Sequence, residues 1–125
     1  MQHIDKVEDF PEEIWEKVLA INLSSAFYTT KYALPGMKQR QWGRIINIAS
    51  VHGLVASVNK SAYIASKHGV IGFTKAVALE NAKIGVTANA ICPGFILTPL
   101  IAKQIEIIAE KKSISFDEAT EVLAS

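Results

Sequence analysis

The sequence predicts an α/β protein with a parallel sheet, because segments typical of strands and helices alternate along the chain. Two runs rich in apolar and β-branched residues, at 45–48 and 86–91, are typical of buried strands. Longer segments with apolar residues at helical spacing lie before the first run and between the two. This alternation favours one parallel sheet flanked by helices.

The first long helix is predicted for residues 11–38. Pro11 suits the first helical position, and Glu12 and Glu13 lie favourably near the positive end of the helix dipole. Five residues recur at helical spacing through this segment: Ile14, Val18, Ile21, Ser25 and Tyr28. A turn at residues 39–43 is expected to lead into the first strand.

The second long helix is predicted for residues 61–83, after a loop at 52–60. Ser61 is expected to cap its start and Gly85 to end it. After the second strand, Cys92, Pro93 and Gly94 predict a turn. Helices are then predicted at 99–111 and, opened by a capping box, from Ser115 to Ala124.

Size and composition restrict the class of protein. The chain has 125 residues, half of them hydrophobic, which is one domain's worth of sequence with enough apolar residues for a core. The 13 basic and 12 acidic residues nearly cancel and form no basic stripe, so neither nucleic acid nor a membrane surface is an expected partner. A single cysteine excludes an internal disulfide and favours a reducing compartment. With no transmembrane or signal segment apparent, we expect a cytoplasmic protein.

The residues that indicate chemistry lie between the two strands. Ser50 follows the first strand, at the end where open α/β sheets bind ligands. Tyr63 and Lys67 are four residues apart on the second helix, so they lie on one face, one turn apart. A fixed ammonium favours the phenolate form of a neighbouring tyrosine, which can then exchange a proton near neutral pH. The alternative is an ordinary exposed pair on a helix.

Ser50, Tyr63 and Lys67, with thirteen positions from serine to tyrosine, resemble the active site of the short-chain dehydrogenase/reductase family. Asn22 matches the family's catalytic asparagine, and Pro93-Gly94 matches its cofactor-side turn. The resemblance implies a partial Rossmann-like, doubly wound fold and reversible hydride transfer between a secondary alcohol and NAD.

The family's pyrophosphate-binding turn is missing from this sequence. Its seven glycines form neither G-x-G-x-x-G nor G-x-x-x-G-x-G. By resemblance, residues 1–125 form a single partial NAD(P)-binding domain that lacks the N-terminal glycine-rich half and the last strand. The chain is therefore expected to be a fragment.

The resemblance also implies roles for individual residues. Tyr63 is the general base, Ser50 binds the reacting oxygen, Lys67 supports the tyrosine and holds the nicotinamide ribose, and Asn22 positions a water that relays the proton. Asn22 could instead cap or kink its helix. The residues expected at the cofactor are Tyr63, Lys67, Pro93, Gly94, Ile96 and Thr98, although Ile96 and Thr98 could be ordinary loop packing.

A small carboxylate substrate is implied by a second set of matching positions. Two amides, an imidazole and an ammonium can together satisfy the oxygens of one carboxylate. The expected substrate residues are Gln2, Ser50, His52, Lys60, Phe95 and Gln104. Phe95 departs from the expected tryptophan, which leaves more room beside the substrate's methyl group. The alternative is that the polar members are ordinary surface or loop residues, and no cluster has metal-ligand spacing.

Two classes of function remain open. The chain could belong to an oxidoreductase that is active only when a second polypeptide supplies the glycine-rich half. It could instead be an inactive remnant that persists as a self-associating structural module. In either case the two long helices are expected to form a homo-oligomer, a dimer or a tetramer.

Overall fold

The structure is a computed structural model that describes residues 1–94, 103, 105–107, 109, 110 and 115. The chain divides into two compact units, residues 1–93 and 94–125. The longer elements of the first unit are α1 (Glu12–Leu19), α2 (Ser25–Gln39), β1 (Gly43–Ile48), α3 (Ser61–Glu80) and β2 (Val86–Ile91). In the second unit, the described residues from 103 to 110 are helical and fall within the helix predicted at 99–111. The predicted last helix, apart from Ser115, lies outside the described residues.

The two strands form a parallel pair, as predicted. Gly43 is opposite Val86 and Ile48 is opposite Ile91. One face of the pair packs on α3, where Val86 and Val70 are each 2% exposed. Full burial of a valine contributes roughly 1.5–3 kcal/mol, so this apolar seam supports a sheet that has only two strands among the described residues.

The opposite face of the pair is open in the described part of the chain. Ile46, Ile48 and Ile91 point away from α3 and are 50–61% exposed. This α/β architecture, with a partial parallel sheet and long flanking helices, is the predicted fold class.

The ends of α3 differ from the prediction. The helix begins with Ser61 as its first residue, so the capping position is occupied by Lys60 and the Ser61 hydroxyl is buried without a hydrogen-bond partner. The helix ends at Glu80, before the predicted residue 83. Gly85 is not its terminator. With φ of +80° it makes the turn into β2, and a side chain there would overlap the Gln41 carbonyl.

The first long helix contains a π-helical turn, Ala20–Ser24, between α1 and α2. This turn inserts about one extra residue, which shifts the phase of every later side chain by about 100°. The predicted helical stripe is therefore wrong beyond Val18. Ile21 and Tyr28 are 53% and 57% exposed, while Thr30 is buried.

A hydroxyl group compensates for the altered hydrogen bonding in this turn. The Ser25 N–H donates to the Ala20 carbonyl, five residues back, and so does not reach the Ile21 carbonyl. The Ser25 Oγ donates to that carbonyl instead, at 2.6 Å. The π-turn thus leaves no orphaned acceptor at Ile21.

None of the helices in the described ranges has the length and apolar character needed to cross a bilayer.

Candidate active site

Tyr63 and Lys67 face the end of β1 from the first two turns of α3. The Lys67 Nζ lies 5.6 Å from the centre of the Tyr63 ring and donates to the Ile48 carbonyl at 3.3 Å. Both side chains are half-buried. This bond to β1 keeps the ammonium beside the phenol ring and limits its freedom to turn into solvent.

Ser50 lies at the carboxyl end of β1, as predicted, and is 8% exposed. Its Oγ accepts a hydrogen bond from the His52 N–H at 3.1 Å, which closes a short 3₁₀ turn at Val51–Gly53. The His52 ring meets the Tyr63 ring edge-on, with 5.9 Å between the ring centres. The serine, histidine, tyrosine and lysine therefore form one continuous cluster.

The surroundings of His52 disfavour the charged form of its imidazole. Burial and, to a smaller extent, the positive charge of Lys60 lower the pKa of the His52 imidazole below 6.5. The Ser57 hydroxyl lies 3.3 Å from the His52 Nε2. A neutral imidazole has one N–H to donate, so His52 is suited to hydrogen-bonding an anion and not to pairing with it as a cation.

Lys60 is tied to the N-terminal segment of the chain. The Asp5 N–H donates to the Asn59 carbonyl at 2.9 Å, and Asp5 and Lys60 form an isolated parallel bridge. Gln2, three residues before Asp5, is exposed. The N-terminal segment that carries Gln2 is thus joined at Asp5 to the end of the loop that carries His52 and Lys60.

Asn22 lies in the middle of the π-turn. Its Nδ2 donates to the Met1 carbonyl at 2.7 Å and its Oδ1 accepts from the Met1 nitrogen at 3.0 Å. A polar cavity of about 260 Å³ adjoins Asn22 and Lys67. Ser25, Thr29 and Asn47 also line this cavity. Asn22 therefore contacts Met1 and shares a polar cavity with Lys67.

Of the predicted cofactor-side residues, Pro93 and Gly94 are described. The Pro93 carbonyl accepts from the Val51 N–H at 3.0 Å, so the end of β2 is tied to the residue after Ser50. Gly94 is exposed. Phe95, Ile96, Thr98 and Gln104 lie outside the described residues.

Two contributors to the site were missed by the sequence predictions. Ser57 was treated only as part of the loop at 52–60. Its hydroxyl lies five residues after His52 and bonds the imidazole across the loop. The Ile48 carbonyl was missed because a backbone acceptor carries no sequence signal. This carbonyl, at the last residue of β1, accepts from Lys67.

The fold defines an α/β protein with a partial parallel sheet, and comparison with known proteins identifies its family. The profile of the family described as short chain dehydrogenase matches residues 1–107. The chain belongs to this family, as its resemblance predicted.

Two curated relatives carry the same name. The chain is 63% identical over 119 residues to a D-beta-hydroxybutyrate dehydrogenase from Cupriavidus necator, covering 95% of this chain and 46% of the relative. It is 57% identical over 118 residues to a D-beta-hydroxybutyrate dehydrogenase from Rhizobium meliloti, covering 94% and 46%. The chain thus spans about half the length of these relatives.

Solved structures of the family have the same fold. A variant of actinorhodin polyketide ketoreductase with NADPH matches with a TM-score of 0.80 and 40% identity, over 95% of this chain and 46% of that one. A 4-hydroxyisoleucine dehydrogenase complexed with NADH matches with a TM-score of 0.75 and 34% identity, over 86% and 48%.

Proposed function

We propose that this chain supplies the catalytic half of an NAD-dependent dehydrogenase that interconverts 3-hydroxybutyrate and acetoacetate. The observation that carries the proposal is the cluster at the end of β1, where the Lys67 ammonium and the His52 ring both contact the Tyr63 ring. The names of the Cupriavidus and Rhizobium relatives support the choice of substrate.

Proton transfer is the part of the reaction assigned to Tyr63. For oxidation, the phenolate takes the proton of the substrate hydroxyl while hydride leaves the same carbon. Ser50 Oγ, which already accepts from the His52 N–H, has its own hydrogen free to donate to the reacting oxygen. The Lys67 Nζ, 5.6 Å from the centre of the Tyr63 ring, supplies positive charge beside the group that transfers the proton. Asn22 would position a water in the polar cavity, and that water would relay the proton onward.

The residues present fit the nicotinamide end of NAD. Lys67 uses one of its three N–H groups on the Ile48 carbonyl, which leaves two for ribose hydroxyls. Pro93, Gly94, Ile96 and Thr98 are the proposed neighbours of the nicotinamide. When bound, NAD accepts the hydride. The sequence has no glycine-rich turn for the pyrophosphate, so we propose that a single partial domain holds only this end.

His52 and Lys60 are the proposed carboxylate receptors, with Gln2 and Gln104 as further amide donors and Phe95 beside the methyl group. Burial and, to a smaller extent, the positive charge of Lys60 lower the pKa of His52, which supports a common role for the two side chains. A neutral N–H donor and an ammonium side by side offer hydrogen bonds and charge to one carboxylate.

We also propose that the chain self-associates through α2 and α3. A groove of about 520 Å³ between these helices is lined by apolar residues that include Phe27, Leu34, Phe73 and Val77. Beside it, Tyr32 and Leu79 are 77% and 79% exposed. A two-fold contact that covers this face would form a dimer or, with a second contact, a tetramer.

The test of the enzymatic proposal compares this chain alone with a chimera. The chimera joins this chain to the part of the Cupriavidus relative that lies outside the matched segment. We expect the isolated chain to show little or no NAD reduction with 3-hydroxybutyrate, because it lacks the pyrophosphate site. The chimera should turn over at roughly 1–10³ s⁻¹.

Tyr63→Phe in the chimera should reduce turnover by about 10²- to 10⁴-fold, the usual contribution of general acid–base catalysis. The matched control is Tyr28→Phe, which removes the same hydroxyl from a residue of α2 that is 57% exposed. Turnover by the isolated chain at ordinary dehydrogenase rates, or equal effects of the two substitutions, would contradict the proposal.

A further inference from the structure

We propose that Asn47 and Thr74 act as a positioning pair that sets the register of β1 on α3, and so the place of Ser50 relative to Tyr63 and Lys67. The effect of this pair on catalysis rests on the dehydrogenase function proposed above, whereas its effect on the geometry of the site does not.

The two residues join the strand to the helix by a directed chain of hydrogen bonds. Asn47 Nδ2 donates to Thr74 Oγ1 at 2.9 Å, and Thr74 Oγ1 donates to the Val70 carbonyl at 2.7 Å. Thr74 is 4% exposed. Because the hydroxyl has a single hydrogen, already committed to Val70, it can receive Asn47 only from the direction of its lone pairs.

The hydrogen bond from Asn47 to Thr74 requires one particular alignment of β1 with α3, whereas the other contacts between the sheet and α3 do not. The remaining contacts between the sheet and α3 are largely apolar, through residues such as Val70, Val77 and Val86. Apolar contact is non-directional and tolerates small sliding of a strand along a helix. Thr74 is buried and Asn47 is half-buried beside the polar cavity, so a shift of β1 along α3 would break a directed hydrogen bond and take the amide donor away from the buried hydroxyl.

The site depends on that register because its members lie on the two joined elements. Ser50 is three residues after Asn47, while Lys67 is two helical turns before Thr74. The segment between Ser50 and Ser61 is mostly loop and contains only one short 3₁₀ turn. The second direct tie between the elements, from Lys67 to the Ile48 carbonyl, is exposed and longer, at 3.3 Å.

The sequence contains a signal for this pair. Asn47 interrupts the apolar run Ile45, Ile46, Ile48, and a polar side chain inside a buried strand requires a partner. Thr74 provides it from the buried face of α3.

The first test follows the Tyr63 ring in this chain by NMR with ¹³C-labelled tyrosine. The chain has three tyrosines, and the Tyr63 signal is assigned by its loss in Tyr63→Phe. Thr74→Val removes the hydroxyl but keeps the shape, and should displace the Tyr63 signal while Tyr28 and Tyr32 stay unchanged. Thr74→Ser keeps the hydroxyl and should restore the wild-type signal.

The matched control is Val86→Ala, which weakens the buried seam between α3 and β2 without removing a hydrogen bond. It should lower the melting temperature by at least about 4 °C and leave the Tyr63 signal in place. The proposal is overturned if Thr74→Val leaves the signal unmoved, or if Val86→Ala moves it equally.

A double variant keeps the test decisive if Thr74→Val alone fails to fold. In Asn47→Leu with Thr74→Val both partners become apolar, which can be nearly neutral for stability. We expect a melting temperature close to that of the wild type with the Tyr63 signal still displaced. Return of the signal to its wild-type position would show that the pair serves stability alone.

The second test uses the chimera described above. Thr74→Val should lower kcat by about 10- to 100-fold with KM for NAD unchanged, and Thr74→Ser should recover it. If the chimera is active and Thr74→Val leaves its kcat unchanged, the positioning role is overturned. An inactive wild-type chimera counts against the dehydrogenase function instead, and the NMR result still decides whether the pair sets the geometry.

Discussion

His52 shows how one side chain can make stability depend on pH. Burial and then Lys60 lower its pKa below the ordinary 6.5, so the unfolded chain binds this proton more readily than the folded chain. The stability contributed by neutral His52 is therefore fully present above pH 6.5 and is lost as the pH falls through the lowered pKa.

This predicts a difference between wild type and His52→Gln in urea unfolding from about pH 5 to about pH 7.5. The free energy of unfolding of the wild type should fall more steeply toward acid than that of the variant. Parallel curves for the two proteins would contradict the prediction.

The same residue, with Lys60, should affect substrate binding in the chimera. We expect His52→Ala and Lys60→Ala each to raise KM for 3-hydroxybutyrate, because a charge-assisted hydrogen bond contributes about 1.5–3 kcal/mol, or about 10- to 150-fold. A secondary alcohol without a carboxylate should be affected much less. Equal losses on both substrates would show that the pair does not bind the carboxylate.

At the scale of elements, the π-turn is the feature with the most direct test. Val18 and Thr30 are both buried, although twelve residues of regular helix would place them about 120° apart. Deletion of Ala20, which is exposed, would bring them eleven residues apart, within about 20° of one another. The helix could then become regular and keep its buried face.

We therefore predict that deletion of Ala20 preserves or raises the melting temperature of the chain. In the chimera it should reduce turnover by about 10²-fold, because Asn22 turns away from the cavity it shares with Lys67. An active deletion variant would show that Asn22 merely accommodates the π-turn. The control is deletion of Ala33, an exposed residue inside α2, which shifts the phase of a helix that has no extra residue and should destabilise it.

The sequence predicted the strands and α3 better than it predicted which face of α2 is buried. Both strands and α3 are predicted well, because their apolar runs and helical spacing reflect burial against a single partner. The phase of α2 could not be predicted, since the π-turn depends on tertiary contacts of Asn22 and on one hydroxyl, that of Ser25. Ser61 was predicted to be the cap because its chemistry suits that role, yet Lys60 occupies the position.

For the candidate site, the sequence predicted which residues come together but not the contacts that they make through the intervening loop. Ser50, Tyr63 and Lys67 follow from spacing along one strand and one helix. The edge-on contact of His52 with Tyr63 and the bond from Lys67 to a backbone carbonyl arise from folding of the intervening loop. Such contacts leave no periodic pattern in a sequence.

At the scale of the whole molecule, we predict that the chain is not a monomer. Two strands do not make an independently stable sheet, and the groove between α2 and α3 leaves aromatic side chains in water. Sedimentation at micromolar concentration should give a dimer or tetramer, with a melting temperature that rises with protein concentration. Phe73→Glu should dissociate it, whereas Val58→Glu, at a loop residue that is 80% exposed, should not.

A single folded species of 13.6 kDa with concentration-independent melting would contradict this prediction.

The crossover from β1 through α3 to β2 also has a consequence for how the molecule assembles in time. Its strands pair residues about forty positions apart, so the entropy of closing that loop opposes their meeting. Since α3 packs chiefly against β2 and is joined to it by five residues, these two elements can meet first and bring β2 within reach of β1. The contacts that bring Ser50 near Tyr63 would then form late, so we expect changes in them to speed unfolding and leave the folding rate nearly unchanged.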